Sequence, residues 1–432
     1  MKKRIICAII ATQAIYTFFE ADMKSEIDIK YIGNYILTVL KWLFISVLVG
    51  GICGAVGAAF ARAVTFATEL RGEHWWILLL LPVLGLGSVL IYKLLCVKGI
   101  GTDKILEGAT TDEKVPFRLS FAVFAASVLT HLGGGSAGRE GAALQLGGSI
   151  AGGLSSLFRL SPKDRRVLTM CAMGAVFSAV FGTPVGAAVF ALEVCFVGKV
   201  GIYGIFPAII SSVAAYGVST LLGTKPEHFE LERVLSFDLP SILKVLLIAV
   251  VCALGSIAFC TLLRLFEKIF KRLFKNEFLR IFVGGAVIVL LTVVLRTGDY
   301  NGGGIEVIER IFSHGEVRYE AFLLKMIFTA ITVAAGYKGG EIIPSFFIGA
   351  TLGGSLAVLL GISPAFGAAV GMAALFCGVT NCPFATIFLC VEMFGAEGLI
   401  FFALSVATSF IISGKYSLYH SQRFAFSKLC EK

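Results

Sequence analysis

Glu140 and Glu341 each follow a cluster of glycines and precede an apolar segment too short and too interrupted to be an ordinary membrane span. That combination predicts a broken helix whose N-terminus lies at mid-membrane, where glycine lets bare backbone amides face a cavity. Four unpaired N–H donors and roughly half a positive charge gather at such an end, so it can hold an anion without a full counter-ion. A carboxylate beside it can take the anion's place when ionised and withdraw when protonated. An ionisable side chain in hydrocarbon costs about 2.5–3.5 kcal/mol on insertion scales, so both glutamates are candidates for gating and proton transfer. The plainer role is a carboxyl that caps its helix. A third helix start of this kind is expected at Lys98-Gly99-Ile100-Gly101-Thr102-Asp103. Glu193 and Glu392 read the other way: embedded within their helices and symmetric, they fit structural hydrogen bonds.

The elements that must carry these residues are membrane helices. Hydrophobic residues make up 57% of the 432 residues and charged residues only 15%, a balance that a water-soluble surface of this size does not tolerate. Runs long enough to cross about 30 Å of hydrocarbon are clearest over 35–66, 75–96, 117–132, 202–222, 241–263, 281–295, 321–335 and 399–413. The 49 glycines fall inside long apolar runs, which argues against a β-barrel. The net charge of +9 sits in short clusters between spans, such as Arg159, Lys163, Arg165 and Arg166. It reads as membrane-flanking charge and not as a nucleic-acid surface, and it favours cytoplasmic termini in a cell membrane. Eleven scattered cysteines with no CxxC pair imply neither a metal site nor a disulfide framework. Met1 to Ala21 resembles a signal peptide without a convincing cleavage site, and Met23 opens a more ordinary leader; residues 1–22 are therefore expected to stand outside the working protein, within a leader over 1–33.

The chain also repeats itself. Glu140, Gly148, Gly152 and Gly153 match Glu341, Gly349, Gly353 and Gly354 at an offset of 201 (341 − 140), and Pro184 and Glu193 match Pro383 and Glu392 at 199 (392 − 193). Two blocks at nearly one offset predict two copies of one unit, as in inverted-repeat transporters. The expected halves are 34–223 and 238–413, joined by a polar connector over 224–237 and followed by a tail over 414–432.

Gly138-Arg139-Glu140-Gly141-Ala142, Gly99-Ile100-Gly101, Gly340-Glu341-Ile342-Ile343-Pro344 and Tyr419 stand in the order and spacing of the CLC anion channel and transporter family. This resemblance covers nearly the whole chain after residue 34. It implies an all-α polytopic membrane protein of two inverted helical repeats, a homodimer with one pore per subunit, and no cofactor. It also implies a gating glutamate at Glu140, anion-binding positions at Ile100, Gly101, Arg139, Gly141, Ile342 and Ile343, and a pore tyrosine at Tyr419, with Tyr416 the weaker candidate. Chloride-type members place a serine where this chain has Ile100, and their inner proton-transfer glutamate would align with Val194. The fluoride-exporting branch is more similar, since it loses that serine and gains a glutamate in the third motif, here Glu341. The resemblance thus implies fluoride/proton antiport conferring fluoride resistance, with a chloride/proton exchanger or chloride channel as the alternative.

Two readings from other classes compete. The glycines from Gly133 to Gly138 have dinucleotide-loop spacing but follow an apolar span, not a strand. Ser136 and His131 could serve a membrane-embedded hydrolase, yet no carboxylate partner sits at a persuasive spacing. The expectation is a transporter and not an enzyme.

Overall fold

The structure, a computed structural model, describes residues 29–111, 113–198, 201–231, 234–425 and 428; the leader features expected over Met1–Asp28, the alternative start included, lie outside them. The chain falls into a unit ending at Ile45 and another from Ser46 onward. The described part of the first unit is the opening of helix α1 (Ile29–Glu73), with Tyr35, Leu37, Leu40 and Phe44 exposed along it, the surface expected of a helix bathed in lipid. All of the site lies in the second unit.

After α1 and a 3₁₀ turn (Trp75–Leu80), the first half continues through α2 (Leu81–Leu94), α3 (Thr102–Thr110), α4 (Arg118–Leu132), α5 (Glu140–Leu157), α6 (Pro162–Phe181), α7 (Pro184–Glu193) and α8 (Ile205–Leu221). The second half runs through α9 (Leu239–Leu273), α10 (Glu277–Leu295), α11 (Ile305–His314), α12 (Ala321–Ala335), α13 (Ile342–Leu359), α14 (Pro364–Thr380), α15 (Pro383–Phe394) and α16 (Leu399–Ile412). Each helix of the first half has a counterpart of similar length and order in the second. Local chemistry sets the boundaries. Ser161 and Asp238 accept hydrogen bonds from the Asp164 and Ser241 amides, each followed by a proline in the first turn, and these bonds with the Ser236 hydroxyl hold the Asp238 carboxyl below the usual range. Gly182 and Asn381 end α6 and α14 in the left-handed conformation.

Two expectations need correction. The segments after Glu140 and Glu341 are unbroken helices of 18 residues each, buried on almost every side. Glycine does not interrupt them; it lets them pack. A Cβ at Gly147 would stand 2.3 Å from the Ala172 carbonyl oxygen, and one at Gly349 would stand 2.6 Å from that of Gly371, so backbone meets backbone at equivalent places in both halves. The offset is the second correction. Helices α5 and α13 start at Glu140 and Ile342, which is 202 residues (342 − 140). The counterpart of Glu140 is therefore Ile342, and Glu341 is the counterpart of Arg139.

Glu193 and Glu392 tie the halves together. The Glu193 carboxylate accepts from the Phe384 and Ala385 amides at 3.3 and 2.8 Å, and Glu392 accepts from Val185 and Gly186 at 2.9 and 2.8 Å. Each carboxylate caps the opening turn of the other half's helix, satisfying donors that hydrocarbon would leave unpaired. The described residues of the 414–432 segment are threaded into the body. Phe196–Val197 (β1) pairs in parallel with Arg423–Phe424 (β2), and Gln422 donates to the carbonyls of Val194 and Thr380. Glu193→Ala should lower stability by about 1–3 kcal/mol, the cost of stranding buried donors. Glu392→Ala, at a partly buried position, should cost less. Melting in detergent reads both, and equal, negligible shifts would remove the capping role.

Candidate anion pathway

The two halves meet where α5 and α13 begin. The Gly138 amide donates to the Gly340 carbonyl and the Gly340 amide to the Gly138 carbonyl, both at 2.7 Å, in an antiparallel bridge. The approach has no room for a side chain: a Cβ on Gly340 would lie 2.3 Å from the Gly141 nitrogen. Two helix N-termini thus face one small region, and their amide ends make it positive. The loop before α11 braces the junction. Asn301 donates to the Gly134 carbonyl at 2.7 Å, and the Gly302 amide to the Gly135 carbonyl at 3.1 Å. Lys325 holds that loop, its buried ammonium donating to the Tyr300 and Gly302 carbonyls at 3.1 and 2.8 Å.

Glu140 is 0% exposed, and neither carboxylate oxygen has a hydrogen-bond partner among the described residues. The backbone amides of Glu140 itself and Ile343 bear on it, and the Arg139 Nε stands 3.7 Å away. The end of the Arg139 guanidinium is turned elsewhere, onto the Glu227 carboxylate. Glu227 belongs to the connector and is anchored by its amide to the Phe181 carbonyl. A buried carboxylate with empty acceptors in a positive pocket is poised to exchange places with an anion or to take a proton.

Two cavities approach this junction and share no lining residue. One, of about 230 Å³, is lined by Gly138, Arg139 and Ile343 together with Arg71, Asp299 and Glu306. The other, of about 320 Å³, is lined by Gly101, Gln145, Gly339, Glu341 and Tyr419. The expected positions therefore divide. Glu140, Gly141 and Ile342 are buried at the junction, Arg139 and Ile343 face the first cavity, and Gly101, Glu341 and Tyr419 face the second. Ile100 lies in the turn before α3 and lines neither cavity, whereas its neighbours Gly99 and Gly101 do line the second. Tyr419 is only 5% exposed and Tyr416 is 40% exposed and away from the cavity. Ser421 fixes the tyrosine loop by donating, through its amide and hydroxyl, to Asp103 at 2.9 Å each.

The two helix ends meet, but the two glutamates do not line one cavity. The one-residue shift in offset puts Glu341 at the N-cap of α13, facing the second cavity, while Glu140 occupies the first turn of α5. Nor do Ser136 and His131 form a nucleophile and base. The Ser136 hydroxyl shares a 3.0 Å hydrogen bond with Thr329, and the His131 Nδ1 lies 2.8 Å from the Ser127 carbonyl of its own helix. Sequence reasoning missed Glu227, Arg71 and Lys325. The signal for Lys325 was available, since it is the one charged residue of its apolar helix.

Gly340→Ala should abolish transport, because its methyl must push α5 and α13 apart. Flux from vesicles together with a melting curve checks this, and parental values for both would show that the close contact is dispensable.

The chain was compared with known proteins. The model of the voltage gated chloride channel family matches residues 84–414. A chloride/fluoride channel protein of Pseudomonas syringae pv. tomato is 35% identical over 90% of this chain and 88% of its own length. An H(+)/Cl(-) exchange transporter of Vibrio cholerae is 26% identical over 82% of both. Among solved structures, a CLC-type fluoride/proton antiporter superposes with a TM-score of 0.86 at 34% identity, covering 89% of this chain and 98% of that one. A slow cyanobacterial Cl-/H+ antiporter, at 19% identity and a TM-score of 0.74, shares the fold. With its paired helix starts, the buried carboxylate beside them and these matches, the chain belongs to the voltage gated chloride channel family, the CLC anion channels and transporters.

Proposed function

We propose that the protein exports fluoride in exchange for protons, working as a homodimer with one pathway per subunit in a cell membrane, both termini on the cytoplasmic side. The observation that carries the reading is Glu140: fully buried, its carboxylate without a hydrogen-bond partner among the described residues, and set at the meeting of two helix N-termini. Ionised, it occupies the anion's position; protonated, it can leave and let the anion through. The named activities of the relatives at 34–35% identity support fluoride as the ion.

The residues beside the pathway support the same choice. Ile100 brings no hydroxyl to the turn before α3, so an anion there meets backbone donors. Val194 stands where chloride-type exchangers carry an inner acid, and Glu341 offers a different acid at the second cavity. Fluoride is a small, strong acceptor suited to amide donors and to a protonated carboxyl. In this reading Tyr419 closes the second cavity toward the junction, Glu341 passes protons, and Gly101, Gly141, Ile342 and Ile343 supply the backbone lining. Arg139 acts on the site through its charge while its guanidinium end is held by Glu227. A chloride-handling exchanger is the second reading, favoured by the match to the Vibrio cholerae protein.

The test is efflux from reconstituted vesicles with anion and pH recorded together. Fluoride should leave faster than chloride and drive uphill proton movement, and Glu140→Gln should abolish that coupling. Undiminished coupled flux in Glu140→Gln removes it from the gating role, and chloride flux equal to fluoride flux favours the second reading.

A further inference from the structure

A second polar recess lies beside the pathway and takes no part in the mechanism above. It has a volume of about 140 Å³ and sits between the end of α2 (Tyr92, Lys93), the turn at Lys98, the first turn of α10 (Glu277, Arg280) and Lys338 ahead of α13. Four cations and one carboxylate line it. Only Lys98 pairs with that carboxylate, Glu277, at 3.2 Å. Lys93 and Lys338 lie over the rings of Phe278 and Tyr92 at 4.2 and 4.5 Å, and neither they nor Arg280 pairs with an acid among the described residues. The Tyr92 side chain lines the recess and is 5% exposed, and among the described residues neither its hydroxyl nor the Arg280 Nε has a hydrogen-bond partner. A buried tyrosine hydroxyl normally finds a partner, and three unpaired cations crowded together repel one another unless an anion lies among them.

We propose that this recess binds a phosphate group, either free phosphate or the head group of an anionic phospholipid. The donor set selects the ligand class. A guanidinium matches two oxygens of a tetrahedral oxyanion, while the ammonium groups and the phenol approach from other sides. The space holds several waters, far more than a monatomic ion fills. Both sources of phosphate fit the setting, because the recess lies where α2 ends and α10 begins, at the end of two apolar spans. Gly99, Gly336 and Lys338 line both this recess and the second cavity, so an occupant here holds Lys338 beside the pathway. The proposal concerns a site outside the fluoride pathway and stands whichever halide the pathway carries.

The experiment is equilibrium binding of radiolabelled orthophosphate to the detergent-purified protein, with native mass spectrometry in parallel after incubation with phosphatidylglycerol or phosphatidylcholine. Saturable orthophosphate binding, or retention of phosphatidylglycerol over phosphatidylcholine, is expected, and which of the two is seen identifies the source. Arg280→Gln should weaken binding by about tenfold or more, as loss of a charge-assisted bond does. Tyr92→Phe should weaken it less, and Arg280→Lys should fall between Arg280→Gln and the parent. Flux in vesicles confirms that each variant is folded. Tyr92→Phe removes a single oxygen and keeps the test valid should an arginine variant misfold. Absence of both ligands, binding unaltered in the variants, or displacement of phosphate by fluoride at constant ionic strength would overturn the assignment.

Discussion

Two hydrogen bonds between Gly138 and Gly340 hold the rest of the structure to its purpose. They join the halves at the point where two helices begin, so two positive dipole ends are pressed together. Such an arrangement is unfavourable by itself and becomes favourable when a negative charge lies between the ends. Glu140 places a carboxyl group there. In the mechanism proposed above, binding and gating are one electrostatic requirement met by two alternative occupants. The close approach exists only because no side chain stands at either glycine, which links two residues of the sequence to the field at the junction.

The surrounding cations obey a second rule. Lys325 and Arg71 are held by backbone carbonyls, the ammonium at Tyr300 and Gly302 and the guanidinium at His131. Carbonyl dipoles satisfy the donors without cancelling the charge, as a carboxylate would. Arg139 is the exception, its charge balanced by Glu227 from the connector. That pairing turns the end of the guanidinium away from Glu140 and leaves only its Nε, at 3.7 Å, beside that carboxylate. A bidentate arginine pair at Glu140 would hold the carboxylate in place.

Much of this was legible in the amino-acid sequence. The apolar runs at 321–335 and 399–413 coincide with α12 and α16 to within a residue, because helices set in hydrocarbon are built almost wholly of apolar residues. The glycine and glutamate clusters led to the junction, and the symmetric placing of Glu193 and Glu392 led to their capping role. What could not be read was the register between the halves. Glycine runs look alike when shifted by one position, and a matching glutamate favoured the wrong shift, so Arg139 and Glu341 were not recognised as counterparts. Helices α5 and α13 looked fragmentary because glycine signals a break in water and a close contact in a membrane. The connector looked like a mere linker, since the partner of Glu227 lies 88 residues away.

The threaded segment after α16 has a consequence for how the protein is made. Tyr419 lines the second cavity, yet it follows the sixteen α-helices of the described residues in chain order, and its neighbours Ser421 and Gln422 are fixed by Asp103, Val194 and Thr380. During synthesis both halves enter the bilayer before that wall exists. The second cavity is therefore completed by residues whose anchors require both halves to be in place already.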